Sequence, residues 1–456
     1  MKPFAGSVKP FAEKSAGRMA IATRHAEPIA FGHGFRVGFD IGFPITSNGN
    51  WDGIREFDSD ARGRPLNSGV REVLSAFLKL GLTSFGGPVA HLGYFRNEFV
   101  ERRKWFDEQA YADLVALCQF LPGPASSQVG IAIGLLRAGY PGALAAWTAF
   151  TLPSTIALVA FAYGLSSLGD ALGSGWLHGL KVAAVAVVAL AILGMVRTLA
   201  PDRSRATVAV AAALITFSLP SAWGQIAAIA FGAIVGAVVL RAEAPSDHVS
   251  LQVPVGRATG MIALLGFVVL LLGLPLLAAT IGGRSIELFD TFYRVGSLVF
   301  GGGHVILPLL QAEVVPAGWI SNDAFLAGYG AAQAVPGPLT TFAAYLGAVI
   351  GGWKMAALCL VAVFLPSFLL VIGVLPFWDD LRQRRATQAT LRGINAAVVG
   401  LLIAAFYNPV WETAILGKGD FALAAVAFLL LMMWRTPPWL VVLICAAGGQ
   451  FLAALP

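Results

Sequence analysis

Gln119-Phe120-Leu121-Pro122-Gly123-Pro124 interrupts an apolar, helix-forming run, and Gln333-Ala334-Val335-Pro336-Gly337-Pro338 interrupts another 214 positions later. Two prolines around a glycine remove backbone donors, restrict the residues before them and let the central residue turn sharply. Both breaks fall in apolar surroundings, where an interrupted backbone is costly, so the sequence around them decides the fold.

Those surroundings are membrane-like. Of the 456 residues 57% are hydrophobic and 12% charged, against roughly 25% charged in a soluble domain, and the mean hydropathy is +0.74. Apolar runs near the ~20 residues that cross a ~30 Å hydrocarbon core recur along the chain, which makes it a polytopic protein of the lipid bilayer. The net charge of +6 sits in short loops and the N-terminal tail, a positive-inside bias and no nucleic-acid signature. Cys118, Cys359 and Cys445 lie in apolar segments without metal-type spacing, and six histidines are scattered. No cofactor, no metal and no enzymatic centre are expected from these residues.

Residues 1–70 mix Gly, Pro, Ser and charge without a long apolar run and read as a poorly ordered cytoplasmic tail, within which Met19 is an alternative start. Segments then follow at about 73–95, broken by Gly86-Gly87-Pro88, and 110–136, broken by Pro122-Gly123-Pro124. Four less interrupted ones follow up to 241. A linker and one connecting helix cover 242–287, and the series restarts at 289–310, broken by Gly301-Gly302-Gly303. It continues at 323–350, 353–376, 391–410, 415–434 and 437–455.

The repetition is specific. Phe77, Lys79, Gly81, Phe85, Gly86 and Gly87 return 215 positions later as Phe292, Arg294, Gly296, Phe300, Gly301 and Gly302. Glu98 returns as Glu313, Gly179 as Gly393 and Pro153-Ser154 as Pro366-Ser367. The chain is thus a duplication with repeats over 71–241 and 288–456. Placing Arg96, Arg102, Arg103 and Lys104 on the same side as the other basic loops requires the two broken segments of each repeat to re-enter. Re-entrant backbone is tolerated only where protein buries it or water lines it. Four segments per repeat then cross, plus the connecting helix. Five crossings separate the repeat starts, so the second repeat is inverted.

Inverted repeats with broken helices are the architecture of secondary transporters. A broken helix exposes unpaired N–H groups and a partial positive charge at its new N-terminus, which suits an anion. Lys79 and Arg294, one cation per repeat in an apolar stretch, are candidates for facing that anion. The expected site comprises Lys79, Gly86, Gly87, Gln119, Pro122, Gly123, Pro124, Arg294, Gly301, Gly302, Gln333, Pro336, Gly337 and Pro338, with backbone N–H groups of the glycines and the glutamine side chains as donors. Glu98, Asp113, His304 and Glu313 are candidates for proton coupling. Asp113 stands alone, since Ala327 holds its place in the second repeat, and His91 and His304 do not align. Against these readings stand snorkelling for Lys79, a loop ion pair for Glu98 and packing kinks for the prolines.

Phe85-Gly86-Gly87-Pro88 and Gln119 with Pro122-Gly123-Pro124, together with their copies Phe300-Gly301-Gly302 and Pro336-Gly337-Pro338, resemble the chromate ion transporter (CHR) family in its long, two-repeat form. The resemblance spans roughly 73–455. It implies an all-α inner-membrane transporter that exports chromate from the bacterial cytoplasm, uses the proton-motive force and confers resistance. It also implies that sulfate, a smaller tetrahedral dianion, competes or is carried. Inward movement of sulfate or another oxyanion remains the alternative, and association into homodimers is left open. The second copy departs from the motif, with Gly303-His304 where the first has Pro88-Val89.

Overall fold

The computed structural model describes residues 66–172, 175–219, 221–240, 254–300, 303–382 and 384–454. The tail expected over 1–70 lies outside them as far as residue 65, as do the linker at 241–253 and two expected site residues, Gly301 and Gly302. The last five residues assigned to the tail belong instead to the first helix, whose apolar face starts earlier than its first long apolar run.

All described regular structure is helical. Helix α1 (Leu66–Thr83) is followed by α2 (Gly87–Arg96), a π turn at Asn97–Arg102 and α3 (Glu108–Phe120). Then come α4 (Ala125–Leu172), α5 (Gly175–Leu199), α6 (Arg203–Ser218) and α7 (Ala222–Val239), closing the first repeat. Helix α8 (Arg257–Ile281) connects to the second repeat: α9 (Arg284–Leu298), α10 (Ile306–Val314), α11 (Asn322–Ala334), α12 (Phe342–Val374), the short α13 (Trp378–Arg382), α14 (Arg385–Ala405), α15 (Glu412–Ala414), α16 (Lys418–Met432) and α17 (Pro438–Ala453). Among the described residues five helical stretches are long and apolar enough to cross a membrane; those at Trp223–Val239 and Pro438–Ala453 are apolar but shorter. Helix α8 leaves Ile262, Leu265, Val269, Leu272 and Leu276 exposed, as a lipid-facing helix does.

Side-chain contacts give the direction of each broken segment. Phe77 lies 5.5 Å from Phe95 and 5.0 Å from Phe99, ring centre to ring centre, so α1 and α2 fold back on each other about Gly86 and Gly87. In the second repeat Phe325 lies 5.1 Å from Phe342, and the Tyr345 hydroxyl donates to the Ala324 carbonyl at 2.8 Å. Helices α11 and α12 therefore fold back about the Pro-Gly-Pro break. Both breaks in these pairs are hairpins rather than kinks. From Glu72 to Ser84 a helical rise gives about 18 Å, a little over half the thickness of a ~30 Å core.

A second reversal follows each Pro-Gly-Pro hairpin. Helix α4 turns at Ala138 and Gly139 (φ 65°), and α12 turns at Gly351 and Gly352 (φ 74°). A side chain on Gly134 would overlap the Gly142 carbonyl, and one on Gly347 the Met355 carbonyl, so the limbs run back along each other. The sequence reading put segment ends at these places.

The repeats exchange partners. Helix α5 packs against α16 and α17, and α14 packs against α6 and α7. The crossings are small-residue contacts: a side chain on Gly179 would run into the Cys445 carbonyl, and one on its counterpart Gly393 into the Gly232 carbonyl. Close backbone approach of this kind is a general basis of helix association in lipid. Gly393→Leu is expected to force the helices apart and cost several kcal/mol, more than the roughly 1–3 kcal/mol of ordinary overpacking. Loss of the monodisperse peak of the detergent-extracted protein on size exclusion checks it.

Charge separates the two ends of the bundle. At one end Glu72 meets Arg103 (3.7 Å) and Arg137 (3.0 Å), Asp113 meets Arg382 (2.7 Å) and Asp380 meets Arg257 (3.4 Å). Helix connectivity brings Arg96, Arg197, Arg203 and Arg385 to this basic end as well. At the other end Lys181 meets Asp323 and His178 meets Asp420, each at 2.9 Å, and the Trp353 N–H donates to the Tyr163 hydroxyl.

Candidate functional site

The four breaks meet between the repeats and are tied crosswise. The Gly123 N–H donates to the Val299 carbonyl at 2.5 Å, and the Gly337 N–H donates to the Ser84 carbonyl at 2.8 Å. Ser84 and Val299 are equivalent positions, each just before a Phe-Gly pair. Each Pro-Gly-Pro turn thus holds the glycine break of the other repeat, and the two bonds obey one pseudo-twofold. Gly123 (φ 129°) and Gly337 (φ 97°) both sit in backbone that side chains disfavour. The Cβ position of Gly123 would lie 2.9 Å from Ser367 Oγ, and that of Gly337 2.9 Å from Ser154 Oγ. The recurring Pro-Ser pairs therefore pack onto the opposite repeat's turn.

These contacts correct one expectation. The N–H groups of Gly123 and Gly337 are spent on protein carbonyls and are not donors for a ligand in this conformation, because the crosswise bonds use the donors that the sequence leaves unassigned.

Helix starts converge here. Gly86 (φ 98°) and Gly87 (φ 78°) open α2. A Cβ on Gly87 would lie 3.5 Å from His304 Nε2, and one on Gly303 would lie 3.5 Å from Pro88 and 3.6 Å from Leu339. The starts of α2, of the turn leading into α10 and of the turn leading into α12 are therefore in mutual contact. Their free N–H groups and dipoles give a positive potential without a formal charge. Gln128 donates from Nε2 to the Pro122 carbonyl at 2.7 Å, while its Oε1 is buried without a partner, as are the hydroxyls of Ser84, Ser127 and Ser367 and the Nε2 of Gln333. Buried polar atoms rarely stay unpaired without a reason.

The expected cations lie further along the same hairpins. Lys79 Nζ is 3.2 Å from Glu98 Oε2, and Arg294 is 2.6 Å from Glu313 and 2.9 Å from Asp290. Lys79–Glu98 and Arg294–Glu313 are the same pair in the two repeats, each clamping the arms of a glycine hairpin. Glu98 is buried and also holds Arg102 and, at 2.6 Å, Arg103, whereas Arg96 turns to Glu101 and Glu108. The two membrane cations are thus compensated by carboxylates of their own repeat. Gln119 is exposed on α3 and does not join the converging starts.

The remaining candidates have other neighbours. The half-buried His304 has its Nδ1 3.0 Å from the Tyr329 hydroxyl, and the fully buried His91 is 3.3 Å from Ser126 Oγ. Asp113 is not alone in space: it accepts from Arg382 at 2.7 Å and from Trp378 Nε1 at 3.2 Å. Arg382 lies on the short α13 of the other repeat, so this buried cluster latches the repeats together at the basic end. The counterparts of Asp113 and Trp378 are Ala327 and Leu165, which line a cavity of about 880 Å³ at the opposite end. Sequence reasoning recorded the Pro-Ser pairs only as evidence of duplication and missed Arg382 and Trp378, because a contact between repeats leaves no local periodicity.

Comparison with known proteins followed the duplication. The sequence profile described as Chromate transporter matches residues 71–237 and again 286–450. The chromate transport protein of Pseudomonas aeruginosa is 29% identical over 86% of this chain and 94% of its own length. The probable chromate transport protein of Synechococcus elongatus is 28% identical over 77% of the chain and 87% of its own length. The chromate transport protein of Cupriavidus metallidurans is 28% identical over 74% and 81%. No solved structure matches.

Proposed function

We propose, starting from the fact that this chain belongs to the chromate transporter family, that it exports chromate from the cytoplasm, is driven by the proton-motive force and so confers chromate resistance. The observation that carries the reading is the meeting of helix starts from both repeats. Chromate is a tetrahedral dianion. A ring of backbone N–H groups binds its oxygens without a fixed countercharge, so the anion is held and still released.

In this reading the donors are the backbone N–H groups at Gly86, Gly87, Gly301 and Gly302, and the buried Gln333 Nε2 is a further donor. The prolines hold the turns open, and Gly123 and Gly337 bind the turns to the opposite repeat. Lys79 and Arg294 act at longer range and keep the hairpins closed through their glutamates. In this reading the basic end, with the tail, faces the cytoplasm, as the positive-inside rule expects, and the cavity faces the periplasm of the bacterial inner membrane. Proton entry from that side matches outward movement of the anion.

Arg294→Ala leaves Asp290 and Glu313 facing each other, and Lys79→Ala removes one of three cations around Glu98. Both variants are expected to abolish chromate resistance while the protein remains in the membrane, as growth on chromate and immunoblots of membrane fractions measure. Transport itself is tested with inverted vesicles and labelled chromate. Accumulation that requires an acid interior is expected; sulfate accumulation instead, or chromate movement indifferent to the gradient, overturns the substrate or the coupling.

A further inference from the structure

The cavity opposite the basic end holds charged groups that the anion site does not use. It is lined by His178 and Lys181 of α5, Asp323 and Ala327 of α11, Asp420 at the start of α16, and Leu165 of α4. Those four are the charged or titratable side chains facing it among the described residues; α17 adds Gln450 nearby, whose Oε1 accepts from the Trp176 N–H. Both ion pairs join one repeat to the other. Lys181 meets Asp323 at 2.9 Å, and His178 Nε2 lies 2.9 Å from Asp420 Oδ1.

The two pairs are built differently. Asp323 is three-quarters exposed, whereas the Asp420 side chain is only 13% exposed and His178 21%. The second oxygen of Asp420 accepts from the backbone N–H groups of Leu416 and Gly417 at 3.0 and 3.1 Å. This carboxylate is therefore fixed by the cap of its own helix, and its free lone pairs are directed at the imidazole of the other repeat. Histidine is the side chain suited to changing charge near neutrality. The second repeat has Arg392 in place of His178, so the imidazole occurs in one half.

The four residues first considered for coupling are placed differently. Glu98 and Glu313 are held by cations, Asp113 by Arg382, and His304 lies against Tyr329 and Gly87. None of them lines this cavity.

We propose that His178, held by Asp420, is the proton-binding site of the transport cycle; this rests on the proton-coupled reading above. With Nε2–H donated to Asp420, Nδ1 takes a proton from a hydronium ion in the cavity: one N–H bond forms, one O–H bond breaks and a water molecule is left. The hydrogen bond from a neutral imidazole to the carboxylate then becomes an ion pair, which is stronger. Protonation thus tightens the tie between α5 and α16 that the 2.9 Å contact already makes. The proton leaves Nδ1 when the opposite end opens, and the anion moves the other way.

The test uses full-length protein in proteoliposomes, comparing wild type with His178→Gln and Asp420→Asn in two assays. One is accumulation of labelled chromate driven by a pH gradient. The other is exchange of labelled for unlabelled chromate at equal pH, which needs binding and alternation but no net proton movement. Gradient-driven accumulation is expected to fall about tenfold or more in both variants while exchange changes by less than about twofold. Wild-type accumulation in the variants overturns the proposal. So does equal loss of both assays, which marks a structural pair. A wild type that exchanges chromate but ignores the gradient refutes the coupling on which the proposal rests, and one that exchanges none refutes the substrate.

Discussion

Gly337→Ala and Gly123→Ala should each lower the initial rate of chromate transport by at least about tenfold, a change of about 1.4 kcal/mol in the relevant free energy. Two costs coincide at these positions. The backbone angles of +97° and +129° penalise any side chain by roughly 1–2 kcal/mol. A methyl group would also press on Ser154 Oγ at Gly337, and on Gln128 and Ser367 at Gly123. Relief of either strain pulls the turn away from the opposite glycine break and breaks its N–H bond to Ser84 or Val299. Because the repeats hold each other's breaks, damage to one turn is felt at the helix starts of the other. Alanine at Gly164, which has open space around it, is the control expected to leave transport near wild type.

The second large effect concerns the basic end. Arg382→Ala removes the cation from Asp113, whose side chain is 5% exposed, and leaves a buried carboxylate with only Trp378 Nε1 as donor. Breaking a buried pair from one side costs about 3–5 kcal/mol, much of it the penalty of the stranded charge. The detergent-solubilised protein should therefore melt markedly lower. Asp113→Ala combined with Arg382→Ala should recover a large part of the loss, since no charge is left unpaired; additive losses would show that the two residues act separately.

Much of this architecture was legible in residue order. The recurrence of Phe77, Lys79, Gly81 and Gly86 as Phe292, Arg294, Gly296 and Gly301 marked the repeats, and the basic loops implied the hairpins that the Phe77–Phe95 and Phe325–Phe342 contacts display. Local chemistry was enough, since glycine and proline dictate backbone wherever they stand. The site was read less completely. The sequence marked Gly123 and Gly337 as special but not the carbonyls that take their N–H groups, which belong to residues more than a hundred positions away. Lys79 and Arg294 looked like free cations because Glu98 and Glu313 are distant in sequence and only the hairpin brings them together. Asp113 looked solitary because its partner lies on α13, a five-residue helix with no counterpart among the sequence-level segments.

The account rests on chromate binding where the helix starts of the two repeats meet. Anomalous scattering from chromium in crystals grown with chromate tests this most directly. A peak within hydrogen-bonding distance of the backbone at Gly86 and Gly87 is the predicted result. A peak in the cavity beside Lys181, with none between the breaks, would contradict it.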